Sequence, residues 1–521
     1  MSICPLPPSK LYRTSVVREF DRVAIEQHGI AGIVLMKRAA MAMLQLAQQR
    51  WPHAEQLRVV CGGGNNGGDG YLFAALAAQR ALEVEVLSLR PCGALKGDAL
   101  LARQMAEQAD VRIIELADGE DIGAWLASGD LLIDALLGTG LGSAVRADCL
   151  ALIENMVASE LPILSADVPS GLNSDTGEIM GAAVKADCTI SFVALKSGLM
   201  TASGRACCGD IFLSDLAIPP EVFADTKPLA TLLNLVDQLT TSPRREQDSH
   251  KGSHGHVLIV GGDIGMGGAA VLAASSALAS GAGLVSVATR EEHVAAIIAR
   301  HPEVMARSVR SATELDSMIA ACDCVVVGPG LGQSSWGAQL LHRILTTRGN
   351  KRLVIDADAL NLIAQHDWFV LLTNADHIAT PHPGEAARLL ACTNREVLND
   401  RYAAVNRLVE KLNGHVLLKG SGTLMAGPDM GMSVCPYGNA GMASGGMGDV
   451  LSGIVGALCA QNMPTAHAMQ LACTLHSAAA DYALEQGNGP KGLRASDLAE
   501  HVSGFLNHPA RAKPPQGIMR L

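Results

Sequence analysis

LRVVCGGGNNGGDG, residues 57–70, runs from an apolar, strand-like start into a glycine-rich loop that leads to an apolar helix expected near Tyr71. A short apolar strand followed by such a loop and a helix opens a strand–helix–strand unit, and units of this kind stack into parallel sheets covered by helices. Further strands are expected at 84–89, 111–114, 131–134, 162–166 and 188–193, with helices between them and two helices ahead of them in residues 11–50. The polar stretch of about 230–250, which carries Pro243, reads as a linker. A second strand–helix series begins at 256–260 and continues at 284–287, 324–329, 353–356, 377–381 and 415–420. The expected fold class is therefore α/β in two domains, residues 1–235 and 236–521, the first a doubly wound parallel sheet and the second a different α/β unit.

A chain of 521 residues is long enough for more than one full core, and 49% hydrophobic against 17% charged residues describes a well-buried enzyme rather than a disordered chain. Aromatics make up only 3%, which leaves few platforms for stacking single-stranded nucleic acid. The formal net charge of −11 argues against general affinity for nucleic acid or an anionic membrane. The 13 cysteines form no CxxC pair, so they read as reduced thiols of a cytoplasmic protein. MSICPLPPSKLYR at the N-terminus has no basic segment followed by an apolar one, so no signal peptide is read. The most membrane-like run, 271–288, is broken by serines and glycines and is expected to be a buried helix turning into a strand.

Three loops at expected strand ends gather polar groups in the first half. In 61–70 the glycines permit close ligand approach, while Asn65, Asn66 and Asp69 offer handles for ribose hydroxyls or an ion. DALLGTGLGS at 134–143 and DVPSG at 167–171 follow neighbouring strands, where open α/β sheets place ligands. The first loop is not GxGxxG, which disfavours a nicotinamide dehydrogenase. A plain glycine turn with left-handed asparagines, or Asp134 and Asp167 as strand-end caps, accounts for each loop taken singly.

In the second half GGMGD, residues 445–449, opens the apolar run Val450 to Cys459. Backbone amides at a glycine-rich helix start hold an anion, yet an aspartate there would repel a passively bound phosphate. Asp449 fits better as a base that takes a proton from a hydroxyl while the amides hold phosphoryl charge. An ordinary helix start with an acidic first turn explains the same five residues equally well.

Taken together, GNNGGDG at 64–70, DALLGTG at 134–140 and DVPSG at 167–171 resemble, in order and spacing, the epimerase half of the bifunctional NAD(P)H-hydrate repair enzymes. HKG at 250–252, GGDIGMGGA at 261–269, GPGLG at 328–332, DADALN at 356–361, TPHPGE at 380–385, KGSGT at 419–423 and 438–453 resemble that family's dehydratase half. The loop at 261–269 is where family sequences vary. The resemblance implies a Rossmann-like parallel-sheet sandwich followed by a ribokinase-like α/β domain. It implies that Asn65, Asn66, Gly67, Gly68, Asp69, Gly138, Thr139, Gly140, Leu141, Gly142, Ser143 and Ala144 hold the hydrated cofactor beside Asp167, with Lys196 as its acid–base partner. A potassium site of Asn66, Asp134 and Ser170 is implied too.

In the second half the resemblance makes Asp449 catalytic and substrate-binding, with Ala269, Gly330 and His382 facing the substrate. Lys419, Gly420, Ser421, Gly422 and Thr423, with Asn439, Gly445, Gly446, Met447 and Gly448, would seat the nucleotide. ADP is the implied phosphoryl donor, accompanied by magnesium. The implied work is repair of hydrated NADH and NADPH: the R and S hydrates are interconverted and the S form is dehydrated, with AMP and phosphate released. A homo-oligomer is expected, although no stretch specifies an interface. The rivals are a ribokinase-type small-molecule kinase and a binding module that has kept the first fold without its chemistry. Lys196, His382, Asp356 with Asp358, and Lys419 each also read as ordinary strand-end or turn residues.

Overall fold

The computed structural model describes residues 9–116, 121–372, 376–487 and 489–521, and the chain divides into two units. Residues 1–8, within the segment where no signal peptide was read, lie outside the described residues. One unit takes the chain up to Thr231 together with Gly517–Leu521; the other is Leu232–Gln516.

The first unit opens with strand β1 (Lys10–Tyr12) and helices Thr14–Glu26 and Gly32–Arg50. Strands β2 (Gln56–Cys61), β3 (Glu83–Ser88), β4 (Arg112–Glu115), β5 (Leu131–Ala135), β6 (Ile163–Ala166), β7 (Cys188–Phe192), β8 (Leu195–Lys196), β9 (Asp210–Ser214) and β10 (Ala230–Leu232) follow. The main sheet has the order β9-β7-β6-β5-β2-β3-β4, with the chain's last strand, Ile518–Arg520, bordering β9, and every pair in it is parallel. Leu57, Val59 and Cys61 of β2 face one helical layer, while Val60 faces the other with Leu87 and Leu132. Burial on both faces is why these strands read as unbroken apolar runs. Arg58 is the exception in β2: it is buried, and its guanidinium donates to the carbonyls of Trp125 and Ser128 at the end of helix Ile122–Ala127.

From β2 the chain steps outward through β3 and β4, returns to the other side of β2 as β5, and steps outward again through β6, β7 and β9. Adjacent strands β2 and β5 therefore send their following loops to opposite sides, which opens a crevice at their C-terminal ends.

The second unit repeats the logic with β11 (His256–Val260), β12 (Leu284–Thr289), β13 (Met305–Ser308), β14 (Cys324–Val327), β15 (Arg352–Ile355), β16 (His377–Ala379), β17 (His415–Leu418), β18 (Thr423–Gly427) and β19 (Met430–Cys435). Its order is β13-β12-β11-β14-β15-β16-β17-β18-β19, parallel as far as β17 and antiparallel beyond it. The crevice here lies between β11 and β14. Helix Met447–Ala460 packs on the sheet so closely that a Cβ at Gly456 would sit 2.4 Å from Val326 Cγ2. A Cβ at Gly453 would sit 2.1 Å from the Ala273 carbonyl of helix Gly267–Ala279. Those two contacts fix the axial position of the helix and hence of Asp449 in its first turn.

Strands β1, β8, β9, β10, β13, β18 and β19 and the last strand, Ile518–Arg520, are not among those the sequence predicts, and the last of them puts Gly517–Leu521 in the first unit rather than the second. The other differences fall at element ends. The helix expected near Tyr71 begins at Asn65, and strands expected to reach 329, 381 and 420 stop at Val327, Ala379 and Leu418. The overshoot is loop with strand-like composition, turned aside at Gly328 and Gly420, whose φ values are +127° and +138°. Part of the expected linker is structured, as β10 and helix Leu235–Leu239. The run at 271–288 is helix to Ala279 and then β12, and no described helix is long and apolar enough to cross a membrane. All twelve cysteines among the described residues are free thiols.

Candidate active sites

In the first unit a cleft of about 1410 Å³ opens at the C-terminal ends of β2, β5 and β6. Its floor is made by two touching loops: Gly62 N donates to Ala135 O at 3.0 Å, and a Cβ on Gly62 would lie 1.9 Å from Leu136 O. Glycines 62, 63, 64, 67 and 68 all have φ outside the left-handed range; close approach accounts for Gly62, Gly63, Gly67 and Gly68, while Gly64 faces open space. Gly67 and Gly68 lie inside the helix start, where added Cβ atoms would meet Gly62 O at 2.0 Å and Met36 at 2.6 Å, and they do not line the cleft. Asn65, Asn66 and Asp69 do, as do Gly138 to Leu141, Ser143 and Ala144; Gly142 is exposed nearby.

Asp134, next to last in β5, is fully buried. One carboxylate oxygen accepts from Ser165 Oγ and Ser170 N, each at 2.8 Å, and the other from Ser170 Oγ at 2.5 Å. Burial raises its carboxyl above the usual range, and these hydrogen bonds pull against that. Leu137 N donates to Ser170 Oγ at 2.8 Å, and at the next residue a Cβ on Gly138 would come within 3.1 Å of Cγ of Asn66, whose amide is buried with neither its oxygen nor its nitrogen hydrogen-bonded. An orphaned amide of this kind costs free energy unless a ligand or ion satisfies it.

Asp167 follows β6 with φ +64° and Val193 follows β7 with φ +67°, both unusual for residues with a Cβ. Between them stands Lys196, 1% exposed, whose ammonium pairs with Asp167 and donates to Phe192 O at 2.7 Å and Ser191 Oγ at 3.2 Å. Those three partners use all its protons. Phe192 N also donates to Asp167, at 3.1 Å. Burial, then Asp167 and Asp21, push the Asp69 carboxyl well above the usual range. Burial also lifts Asp21, on helix Thr14–Glu26, to about 6, with Lys196 opposing and Asp167 adding.

The second unit brings six loops to one place. Asp356, at the end of β15, is buried and receives Lys419 Nζ at 2.7 Å and Ser452 Oγ at 2.6 Å. Burial alone would raise Asp356; Lys419 and the hydroxyls of Ser452 and Thr380 outweigh it and leave it low. Glu385 lies 3.8 Å from the same ammonium and 3.2 Å from His382 Nε2. Gly332 N donates to Asp358 at 3.0 Å, tying the β14 loop to the β15 turn. Gly330 touches the helix that carries Ala269: a Cβ there would lie 3.1 Å from that of Ala269. Gly448 sits over the ion pair, its hypothetical Cβ 3.3 Å from Lys419 Nζ. Asp449 is half-buried beside them, and burial, followed by Asp356, lifts its carboxyl to about 7 while Lys419 resists.

Two sequence matches cover most of the chain: residues 32–198 match the family described as YjeF-related protein N-terminus, and 257–503 the family described as NAD(P)H-hydrate dehydratase. A Coxiella burnetii protein named bifunctional NAD(P)H-hydrate repair enzyme Nnr is 43% identical over 95% of this chain and 99% of its own. This chain belongs to the bifunctional NAD(P)H-hydrate repair enzymes. Another member of that repair family, from Escherichia coli K12, is 39% identical over 96% of this chain and 94% of its own. A solved ADP/ATP-dependent NAD(P)H-hydrate dehydratase of Bacillus subtilis, co-crystallised with ATP and Mg2+, is 27% identical over 53% of this chain and 97% of its own, with a TM-score of 0.46.

The nucleotide residues expected in this repair-enzyme chain occupy several different environments. Lys419 turns its ammonium into the Asp356 cluster, while Gly420, Ser421, Gly422 and Thr423 form the turn between β17 and β18. Asn439 spends its amide on Gly441 N and Asp481, both at 2.9 Å. Gly445 is open and Gly446, at φ +89°, caps the helix whose first turn holds Met447 and Gly448. His382 caps helix Pro383–Leu390, accepting from Gly384 N at 3.0 Å, and burial lowers its imidazole below the usual value. Two residues escaped the sequence reading. Asp21 lies in a helix that reads as ordinary surface periodicity. Arg401 is 1% exposed and donates to the carbonyls of Leu418, Lys419, Ser421 and Gly422, shaping the 419–423 turn from below; no sequence signal separates it from a surface arginine.

Proposed function

We propose that the first unit interconverts the R and S forms of hydrated NADH and NADPH in the Asp167 cleft, and that the second dehydrates the S form at Asp449. The placement of Asp449 carries the dehydratase assignment: a carboxylate lifted to about 7 stands in the first turn of a glycine-opened helix, against an ion pair that can receive negative charge. A base poised near neutrality at an anion-holding helix start suits removal of a hydroxyl proton as that oxygen attacks a donor phosphorus. The amides of Met447 to Asp449 have no partner inside the helix and would hold charge on the transferred phosphoryl group. The phosphorylated oxygen then leaves as phosphate with the loss of a ring proton, and the double bond of NAD(P)H returns.

ADP as donor leaves AMP and phosphate. Magnesium would enter with the donor phosphates; Asp358, close enough to Asp449 to raise its carboxyl, would supply a carboxylate oxygen of the kind it takes. Gly330, Ala269 and His382 would meet the substrate, and the 419–423 turn with Gly445 to Gly448 would seat the donor.

In the epimerase cleft the hydrate would lie between Asn65 to Asp69 and the Gly138 to Ala144 loop, with its ring toward Asp167. The orphaned Asn66 amide beside the Asp134 carboxylate and Ser170 hydroxyl supplies the hard oxygen donors potassium takes, so those residues fit that ion. Bound there, it would add positive charge where the cleft meets a pyrophosphate. Lys196, with its protons committed, positions Asp167 rather than reaching substrate. The free thiols support a reducing, cytoplasmic location. Light scattering tests the homo-oligomer.

The deciding assay follows return of the NADH absorbance from separated S and R hydrates with ADP, ATP or no nucleotide, in wild type and Asp449→Asn. Nucleotide-dependent recovery from both epimers, lost in the variant, is expected. A phosphorylated product that accumulates without NADH would overturn dehydration in favour of a kinase.

A further inference from the structure

Helix Thr14–Glu26 buries Phe20 and Ala24 in the core and turns Thr14, Arg18, Asp21, Arg22 and Ile25 to the cleft, the spacing of a single helical face. Both arginines are engaged. Arg18 donates to Thr139 O at 3.0 Å, and Arg22 clamps Glu19 at 2.6 Å and also Glu26. Asp21 differs: it is partly sheltered, and among the described residues no donor hydrogen-bonds its carboxylate. The charges that face it are the Asp167–Lys196 pair and Asp69 across the cleft, with Arg18 and Arg22 on its own helix. Asp98, Arg90 and Arg146 line the cleft further off, and Glu221 stands on the turn packed against the helix.

The hydrate carries its hydroxyl on the ring carbon bonded to the ring nitrogen. Such a carbon inverts without net chemistry if the carbon–nitrogen bond opens and closes again on the other face. Opening needs two proton movements, one from the hydroxyl oxygen and one to the nitrogen, and a single carboxylate poorly serves both atoms. We propose that Asp21 is a second proton-transfer residue of the epimerase cleft, working with Asp167; this rests on the assignment of that cleft to epimerisation. Asp167 takes the hydroxyl proton as the carbonyl forms and the carbon–nitrogen bond breaks, and protonated Asp21 gives its proton to the nitrogen. After the aldehyde turns, the nitrogen returns its proton to Asp21 and attacks the carbonyl, whose oxygen recovers the first proton from Asp167. All bonds and protons are restored and only the configuration differs. Lys196 has no proton to spare for this, and Asp69, whose carboxyl is held well above the usual range, suits donating a hydrogen bond rather than cycling.

The test follows exchange between R and S hydrates of NADH by NMR, without nucleotide, in the full chain carrying Asp21→Asn, Asp21→Glu or Asp167→Asn, from acid to mildly alkaline pH. Asp21→Asn is expected to lower kcat about 100-fold or more with little change in KM. It should also erase the part of the pH profile that titrates near 6. Asp21→Glu should restore most of the rate with that limb displaced. Nucleotide-dependent dehydration of pure S hydrate, unchanged in each variant, reports that the second unit is intact, and a thermal melt with wild-type transitions reports that the first unit is folded. Wild-type kcat and pH profile in Asp21→Asn, with Asp167→Asn inactive, would overturn the proposal and leave the cleft's assignment standing. Absence of exchange in wild type itself would strike that assignment instead. Should Asp21→Asn not fold, Asp21→Glu decides: an undisplaced limb at the wild-type rate refutes.

Discussion

Replacing Asp449 by Asn should cost the second unit its chemistry and make its fold more stable. The carboxyl stands at about 7 against 3.8 for an ordinary Asp, chiefly because it is buried and faces Asp356. The folded state therefore holds a proton that the unfolded chain has released, so this group's contribution to stability falls as pH rises from about 4 through about 7. About 3 units at 1.36 kcal/mol each set the penalty above pH 7 on the order of 4 kcal/mol, an upper figure because water still reaches part of the group. Asn cannot ionise and escapes the penalty. For a unit of this size the gain corresponds to a rise in Tm of up to roughly 7 °C at alkaline pH, vanishing at strongly acid pH. The same variant should lose about 100-fold or more in nucleotide-dependent NADH recovery. In wild type that rate should climb about tenfold between one unit below and one unit above the Asp449 value, as the ionised fraction does. Calorimetry across pH, paired with the absorbance assay, reads both effects. A Tm at or below wild type in alkaline buffer, or activity within a few-fold of wild type, would refute the reasoning.

Asp134→Ala should abolish exchange of the R and S hydrates while leaving dehydration of pure S hydrate intact; epimer exchange at the wild-type rate would sink the potassium-site assignment. Gly138→Ala pushes a methyl to within 3.1 Å of Asn66 Cγ and should raise the potassium concentration needed for half-maximal epimerisation, measured in sodium-balanced buffer. Arg401→Met withdraws a buried cation from four carbonyls and should raise KM for the nucleotide more than it lowers kcat, read by initial rates at saturating hydrate. Loss of folding in that variant would appear as a broadened melting transition.

The central parallel strands were legible because burial on both faces makes them short, uninterrupted apolar runs; β2 and β11 appear in the sequence within a residue of where they lie in the fold, and β14 with its start right and its end overshot. Loops that carry chemistry blurred the ends, since Gly328 and Gly420 follow residues whose composition still suits a strand. The glycines of 62–68 were visible as a motif, but their separate reasons were not: only the crossing of the β2 and β5 loops shows that Leu136 O leaves no room for a Cβ at Gly62, and only the fold brings Met36 against Gly68. Asp449 stood out in the sequence by its place in a glycine-rich helix start, and Asp167 and Lys196 came forward only through the family resemblance of the motifs around them. Asp21 and Arg401 did not, because what sets them apart is the neighbour each meets across long sequence separations, and helical periodicity records only which way a residue points.

The strand Ile518–Arg520 lies beside β9 in the first unit's sheet, although the whole second unit precedes it in the chain. During synthesis on the ribosome the first unit must wait with β9 as an open parallel edge until some 285 residues of another unit have emerged. An unpaired edge is a template for pairing with other chains. Cutting the gene near residue 231 would make that waiting state permanent, so a severed first half should be the more aggregation-prone of the two fragments, and the last five residues supplied as a peptide should blunt that tendency.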